Sequence, residues 1–298
     1  MNAPLALFVY NRPGHTRQTV EALLSNELAP ESDLIVFSDA ERDAASAAAV
    51  REVREFVESI TGFRSLRIVR RTANLGLAAS IIDGVTAVCG EHGRVIVLED
   101  DLLTSPYFLR YMNQALNLYE NDAAVGSIHG YWYPVGREVP ETFFLRGASC
   151  WGWATWSRAW RCFEPDGRKL LAQLRLRKLT NSFDLDGAIA YTQMLKNQIA
   201  GKVDSWAIRW HASMFIEERL QLSPGRSLVR NIGFDGTGTH RVESPVYGVE
   251  RSAIPVAVAR TPLRESAEAR AALIDYYRST RQTLAKRAFG RLRRLAGI

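Results

Sequence analysis

The chain has 298 residues, of which 47% are apolar and 23% charged, and its formal net charge is +6. These values are typical of a globular protein with one large α/β domain or two smaller ones. No apolar run approaches the roughly 18 residues of a membrane span, and the cysteines, Cys89, Cys150 and Cys162, lack the spacing of a zinc site or a disulfide framework.

The first 130 residues alternate strand-like and helix-like segments. The N-terminal MNAPLALFVYNRPG has no basic region and predicts a first strand rather than a signal peptide. Predicted strands cover 5–10, 34–37, 66–69, 95–98 and 124–128, and predicted helices begin near Pro13, Ala44, Leu75 and Pro106. This alternation predicts βαβ units and a mainly parallel sheet. Neither GxGxxG nor GxxxxGK[ST] occurs, so neither the usual dinucleotide fold nor a P-loop is supported.

The string RVIVLEDDLLTSPYF places three consecutive carboxylates, Glu99, Asp100 and Asp101, at the end of a strand of buried type. Adjacent acids repel one another unless a cation or hydroxyl groups offset the cost. Ligands of open α/β sheets bind at this carboxyl edge, and hard oxygen ligands suit Mg²⁺ or Mn²⁺ bridging a diphosphate. The alternative is an acidic loop that caps the next helix, although Ser105 and Pro106 are already typical of a helix start.

Three further polar residues follow predicted strands and should gather near the acids. Arg12 offers a cation for phosphate, Asp39 can accept an N–H group of a base, and Asn74 follows the third strand. The alternatives are a surface ion pair for Arg12 and a helix cap for Asn74.

After Tyr131 the chain becomes aromatic and irregular, and its segments YWYPVG, ASCWGWATWSRAW and SWAIRWHASMF hold all seven tryptophans. No linker separates the two halves. We therefore expect one domain over residues 1–250, with a ligand-binding half at 1–130 and an aromatic half at 131–250.

The positive charge belongs to the tail, because residues 251–298 carry a net charge of +8 and residues 1–250 a net charge of −2. The end of this tail, TLAKRAFGRLRRLAGI, predicts a basic amphipathic helix suited to an anionic membrane surface. The alternative is a helix packed on its own domain. Nucleic-acid binding is disfavoured, since no recognised motif accompanies the charge.

Taken in order, VYNR, FSDA, LEDDLLTSPYFLRYM, CWGWATW, VDSWAIRW and NIGFDGTGTH resemble the motifs of GT-A type glycosyltransferases over about residues 5–240. The chain is more narrowly similar to the N-acetylglucosaminyltransferase I group and its bacterial relatives, which are inverting enzymes that use a nucleotide sugar and Mn²⁺. The resemblance implies a GT-A fold, which is a Rossmann-like, mainly parallel α/β sheet flanked by helices.

The resemblance also implies roles for individual residues. Arg12 and Asp39 would contact the nucleotide base, and Asp100 would hold the ribose. Glu99 would support the donor sugar or the geometry of the motif, while Asp101 would be the one direct protein ligand of Mn²⁺ or Mg²⁺. Asn74 would belong to the same donor pocket.

In the second half, the resemblance implies that Asp204 is the base that takes the acceptor proton. Burial beside Trp206 and Trp210 would raise its pKa, and a helix cap is the alternative role. Trp151 and Trp153 would lie near the sugar, although tryptophan is more often a core residue, and we expect at least one of the pair to be structural. His240, after the glycine-rich loop, is a second candidate for the metal, or a solvated histidine.

We therefore expect a metal-dependent inverting glycosyltransferase that moves a sugar from a nucleotide donor, which we expect to be UDP-linked, to a saccharide or lipid-linked saccharide. Its pathway would be envelope or surface polysaccharide synthesis. We expect it to lie in the cytoplasm, where the tail would bind it peripherally to the membrane. The alternatives are a sugar nucleotidyltransferase, which would usually carry a glycine-rich loop after the first strand, and a non-catalytic sugar-binding protein of the same fold.

Overall fold

The computed structural model describes residues 2–236 and 248–280. Its elements, in chain order, are β1 (Leu5–Val9), α1 (Pro13–Leu24), β2 (Asp33–Ser38), α2 (Ala44–Glu58), β3 (Ser65–Arg70), α3 (Leu77–His92), β4 (Arg94–Glu99), β5 (Leu102–Thr104), α4 (Phe108–Leu118), β6 (Val125–His129), β7 (Thr142–Arg146), β8 (Trp153–Trp156), α5 (Ser157–Trp160), α6 (Gly167–Leu176), α7 (Thr180–Phe183), α8 (Tyr191–Ile199), α9 (Trp206–Ile216), β9 (Leu220–Pro224) and β10 (Val229–Asn231). Residues 267–280 are helical as well and are called the C-terminal helix.

Eight strands form one sheet in the order β3-β2-β1-β4-β8-β6-β9-β7. β3, β2, β1 and β4 are parallel, and β6 and β9 are parallel to each other, whereas β8 and β7 run antiparallel to their neighbours. The predicted α/β fold with a mainly parallel sheet is confirmed. Because β8 is antiparallel, it begins at the edge where β1, β2, β4 and β6 end, and we call this the carboxyl edge.

The sheet is covered on both faces because its strands alternate between two hydrophobic cores. In β1, Leu7 and Val9 face the core that contains residues of α1, α2 and α4, whereas Phe8 faces the core built by α3 and α9. Strands buried on both faces need such continuous apolar runs. In the described residues, no helix has the length and apolar character to span a bilayer.

Two helices start differently from the prediction. α3 begins at Leu77, and its N-cap is Gly76, at φ 75°, rather than Asn74. α4 begins at Phe108, two residues after Pro106, and Tyr107 is its N-cap with no capping side chain. Ser105 instead donates its hydroxyl to the Ser252 carbonyl, at 2.7 Å. The Ser105 hydroxyl oxygen also accepts the Tyr107 N–H at 3.3 Å, so Ser105 caps the turn that leads into α4, although the helix itself begins at Phe108.

Residues beyond 250, where the predicted domain ends, also pack on the domain. Glu265 forms a parallel bridge with Phe144 of β7, and its carboxylate accepts the Arg146 N–H at 3.0 Å. The C-terminal helix then packs Tyr276 and Tyr277 against Tyr133. The predicted basic amphipathic helix, at 283–298, lies outside the described residues.

Trp153 is a core residue, which corrects its prediction as a sugar-binding side chain. It is 1% exposed, and its ring lies 5.3 Å from Trp206, 5.6 Å from Trp210 and 5.9 Å from Trp160. Trp153 pairs with Val97 in the sheet and points to the face that α9 covers. An indole enclosed in this way has no face left for a pyranose ring.

Replacing Trp153 with alanine should lower the free energy of unfolding by about 3–5 kcal/mol, because the cavity would open among three other indoles. Urea denaturation followed by circular dichroism measures this loss. Trp151→Ala is the matched control, since Trp151 is only partly buried, and its cost should be clearly smaller. Equal losses for the two variants would contradict the assignment of Trp153 to the core.

Candidate functional site

The acidic motif lies at the carboxyl edge, where Glu99 ends β4 and Asp100 and Asp101 form the turn into β5. Arg12, which follows β1, pairs with two of these acids through one nitrogen. Its Nη2 lies 2.9 Å from Asp100 Oδ1 and 2.6 Å from Asp101 Oδ2. Across 2–236 and 248–280, the Glu99 side chain makes neither a hydrogen bond nor an ion pair, while its backbone pairs with Phe8 of β1. The sequence-based prediction that Arg12 and the acids converge is met by a direct salt bridge.

Backbone groups of the motif are fixed by neighbouring segments. The Thr19 hydroxyl donates to the Asp100 carbonyl at 2.8 Å, and the Ile232 N–H donates to the Asp101 carbonyl at 2.9 Å. The second contact continues the antiparallel pairing of β5 with β10, in which Leu102 lies opposite Asn231. Residues 231–236 of the glycine-rich segment therefore lie against the acids. In the sequence, only the order of the motifs indicated that these two segments belong to one site.

Burial and mutual repulsion dominate the electrostatics of the motif. Burial raises the pKa of Glu99 well above its ordinary value, and Asp101 and Asp100 raise it further. Burial also raises the pKa of Asp100, against the opposing effect of Arg12. Burial acts to lower the pKa of Arg12, but the two aspartates outweigh it and raise that pKa above its usual value. Arg12 is therefore a permanent cation, and the acids retain a strong attraction for a further positive charge.

Asp39 lies where β2 ends and organises the turn before α3. Its Oδ1 accepts the N–H groups of Ala40 and Leu75, both at 2.9 Å, and its Oδ2 accepts the Gly76 N–H at 3.0 Å. Asn74 donates its side-chain amide to the Ala40 carbonyl at 2.7 Å. Asp39 and Asn74 thus form one structured turn at the predicted edge, and capping by Asn74 is wrong.

An aromatic row runs along the same edge of the sheet. The Trp151 ring lies 4.7 Å from Tyr131 and 5.5 Å from Phe234, and both contacts are edge-to-face. Phe234 follows Gly233, where a Cβ would meet Asp101 Oδ2. Burial, and then Glu99 and Asp101, raise the pKa of the Cys150 thiol. Trp151 is thus the member of the predicted pair that lies beside the acidic motif, partly buried.

Gly152, between the two tryptophans, is required by the backbone. Its φ is +63°, and a Cβ there would meet Val229 and Phe108. Its carbonyl accepts the Gly130 N–H at 2.7 Å. The glycine therefore serves the close packing of β8 against β6 and β10, in addition to any approach of a ligand.

Asp204 stands before α9 and differs from its prediction in two respects. Ser205, not Asp204, caps the helix, since its Oγ accepts the Ile208 N–H at 3.3 Å. The Asp204 side chain is 68% exposed and lies 3.3 Å from Arg209 Nη2. The expected burial beside Trp206 and Trp210 is therefore wrong, because both indoles turn into the core with Trp153. Its role as a base remains a prediction.

His240 lies outside the described residues. The sequence-based reasoning overlooked another histidine, His15 of α1, whose Nε2 lies 3.1 Å from Asp235 Oδ2. This contact links α1 to the segment after β10. His15 is the third residue of α1, and no motif around it marks it as part of a site.

The acids suit a divalent ion held by a single protein carboxylate. No three His, Cys, Asp or Glu side chains converge into a metal-binding group in the part of the chain that the structure describes. Asp101 nevertheless offers hard oxygens in a narrow space, since a Cβ at Gly233 would collide with its Oδ2. Mg²⁺ commonly keeps waters and substrate phosphates as its other ligands. These carboxylate oxygens therefore suit a divalent ion that arrives with a diphosphate.

A family model described as glycosyl transferase family 2 matches residues 6–190. This range contains Arg12, Asp39, the acidic motif and Trp151, whereas Asp204 lies beyond it. No protein with a curated description matches the chain.

Three solved structures are similar at low identity. A mannosyltransferase from Pyrobaculum calidifontis in complex with GDP-Man and Mn²⁺ matches at 15% identity and TM-score 0.33, over 45% of this chain and 36% of that one. S. aureus TarS 1-349 matches at 12% identity and TM-score 0.36, over 60% and 49%. Mouse xyloside xylosyltransferase 1, in its apo form, matches at 16% identity and TM-score 0.36, over 57% and 72%. The chain thus spans less than half the length of the first two.

Glu99→Gln should stabilise the metal-free protein at pH 7 by about 1 kcal/mol, the usual size of a single-residue effect. The raised pKa means that the folded state disfavours ionised Glu99, so this destabilisation is absent below the ordinary carboxyl range and grows as pH rises. Urea denaturation at pH 7 and pH 4 measures the difference, and the gain should shrink at pH 4.

The matched control is Glu91→Gln. Glu91 is half exposed, and its pKa is lowered, chiefly by the hydrogen bond from Arg67. Its substitution should be neutral or slightly destabilising at pH 7. A gain for Glu99→Gln that is as large at pH 4 as at pH 7 would contradict the electrostatic explanation.

Proposed function

The chain belongs to glycosyl transferase family 2, and on this premise we propose that it transfers a sugar, with inversion, from a UDP-linked donor to a saccharide acceptor. The observation that carries the proposal is the convergence of Arg12, Asp39 and the acidic motif at the carboxyl edge, where open α/β sheets bind ligands. A nucleoside diphosphate presents a base, a ribose and two phosphates. The turn around Asp39 is suited to the base, the acids are suited to the ribose, and the Arg12 cation is suited to the phosphates.

In the proposed donor site, Asp101 holds Mn²⁺ or Mg²⁺, and Asp100 binds the ribose hydroxyls. Arg12 is close enough to reach a diphosphate, given its salt bridges to both aspartates. Asp39 and Asn74 shape the turn that borders the base. Two hydrogen bonds to Oδ1 and one to Oδ2 leave Asp39 one lone pair on Oδ2 for a uracil N–H group. Glu99, without a protein partner in the described residues, is left for the donor sugar.

A divalent ion at Asp101 would supply positive charge to the diphosphate as it departs. The protein itself contributes position and charge. Asp100 and Asp101 are fixed through their backbone carbonyls by α1 and by the segment after β10. Such anchoring keeps these two acids in one geometry, and correct placement of this kind lowers the barrier of a reaction.

On the acceptor side, we propose that Trp151 borders the sugar and that Asp204 accepts the proton of the attacking hydroxyl. Trp151 contacts Phe234, which follows Gly233 beside Asp101 Oδ2. Asp204 lies at the start of α9, whose first residue, Trp206, packs on Trp153 at the beginning of β8. β8 begins at the carboxyl edge, so Asp204 is on the side of the sheet where the donor would bind.

The acceptor and the location are part of the same proposal. The net charge of +8 over residues 251–298 supports attraction to an anionic membrane surface at its cytoplasmic face, where lipid-linked saccharides are presented. Envelope or surface polysaccharide synthesis would require such an acceptor. Glu265 and the C-terminal helix pack on the domain, and residues 281–298 carry six of the eleven basic residues of this tail.

UDP should bind the full chain in the presence of Mn²⁺ and not in the presence of EDTA, and Asp101→Ala should lose at least about 1 kcal/mol of binding free energy in Mn²⁺. Isothermal titration calorimetry measures both. The control is Asp33→Ala, which removes an acid at the opposite edge of β2 and should leave UDP affinity unchanged. Absence of UDP binding in either condition would contradict the donor assignment and leave a sugar-binding or pseudoenzyme role.

Asp204→Asn should slow sugar transfer by about 10²–10⁴-fold, the usual contribution of a general base, without weakening UDP binding. The measurement is UDP release in the presence of acceptor, with calorimetry of UDP and Mn²⁺ in parallel. Asp166→Asn is a suitable control, because Asp166 is an exposed N-cap of α6 that should affect stability alone. Unchanged turnover for Asp204→Asn would remove Asp204 from the mechanism.

A further inference from the structure

Arg12 occupies the position that a metal ion would need. Its Nη2 bridges Asp100 and Asp101, and the shorter contact, 2.6 Å, is with Asp101 Oδ2. This is the carboxylate to which the donor site assigns the divalent ion. In the part of the chain that the structure describes, no other arginine or lysine forms an ion pair with the acidic motif.

A guanidinium and a divalent ion cannot share this position. Both are cations, and metal–oxygen bonds are shorter than the salt bridge that Arg12 already forms. The side chains of Arg12, Asp100 and Asp101 are 15%, 12% and 17% exposed, so water does little to screen their charges. Binding of an ion at Oδ2 of Asp101 therefore requires Arg12 to move away.

The backbone is held at both ends of this contact, so the movement must come from the Arg12 side chain. The Arg12 carbonyl accepts the Thr16 N–H at 2.9 Å and the Thr16 hydroxyl at 3.0 Å. The Asp100 and Asp101 carbonyls are fixed by Thr19 and Ile232. A diphosphate offers the released guanidinium a new partner, because its oxygens match the planar donors of the arginine.

We propose that Arg12 makes the site specific for a metal–nucleotide complex over the free metal ion, by neutralising Asp101 until a diphosphate is present to receive its side chain. This inference rests on the proposed donor site. Arg12 thus acts as a positioning residue: it excludes the free ion from Asp101 and then binds the diphosphate that arrives with it. Metal and nucleotide consequently bind with positive cooperativity.

The test is Mn²⁺ binding without nucleotide, read from the electron paramagnetic resonance signal of free Mn²⁺ in titrations of the full chain. Arg12→Gln should bind Mn²⁺ about tenfold more tightly than the unmodified protein, a typical coupling between two binding events. In the presence of Mn²⁺, the same variant should bind UDP more weakly by calorimetry. Opposite changes in the two affinities are the signature of competition followed by transfer of Arg12 to the phosphates.

Two further variants separate charge from folding. Arg12→Lys keeps the positive charge and should retain the weak binding of free Mn²⁺. Arg64→Gln removes an arginine that pairs with Asp33 at the other edge of the sheet and should change neither affinity. Thermal unfolding of each variant verifies that it is folded.

Unchanged or weaker Mn²⁺ binding by Arg12→Gln, with Mn²⁺-dependent UDP binding intact in the unmodified protein, would overturn this inference and leave the proposed function standing. If the unmodified protein binds no UDP with Mn²⁺, and Arg12→Gln binds no Mn²⁺, the donor site itself is wrong and the inference falls with it.

Discussion

Repulsion among Glu99, Asp100 and Asp101 is the constraint that the carboxyl edge has to satisfy. Three neighbouring carboxylates, largely withdrawn from water, destabilise the folded state unless positive charge is close. Among the described residues, Arg12 pairs with two of them, at 2.9 and 2.6 Å, and shares its single positive charge between them. Glu99 is left with a raised pKa and no partner among the described residues. One positive charge therefore faces three carboxyl groups at this edge.

This constraint explains why distant segments meet at the acids. α1 supplies Thr19, and the strand pair β5–β10 brings Ile232 onto the Asp101 carbonyl. From there, Phe234 contacts Trp151, which contacts Tyr131 at 4.7 Å. The aromatic row continues through Tyr133 to the C-terminal helix by ring contacts of 5.0 and 5.4–5.6 Å. The half that holds the acids and the aromatic half are thus one packed unit.

Much of the fold and part of the site could be predicted from local sequence. Strand and helix periodicity located β1 to β4 and their helices within a few residues, since each strand is an apolar run. The strand-end rule then gathered Arg12, Asp39 and the acids. The exposure expected for Trp153 and the burial expected for Asp204, which came from the resemblance and from neighbouring tryptophans, were wrong, because burial depends on which face of β8 or which turn of α9 meets the sheet. The local pattern of CWGW and VDSW is the same whether a side chain faces ligand or core.

The sequence by itself therefore determined the parallel α/β sheet and the family, because apolar periodicity and motif order are written in consecutive residues. It also determined that carboxylates and a cation would lie at one edge, since parallel strands end together. Only the tertiary structure decided that Arg12 neutralises Asp101, that Asp39 fixes a turn, that Trp153 is core and that residues 251–280 close the sheet. These are contacts between residues far apart in the chain, and their strength comes from exclusion of water, which no local pattern encodes.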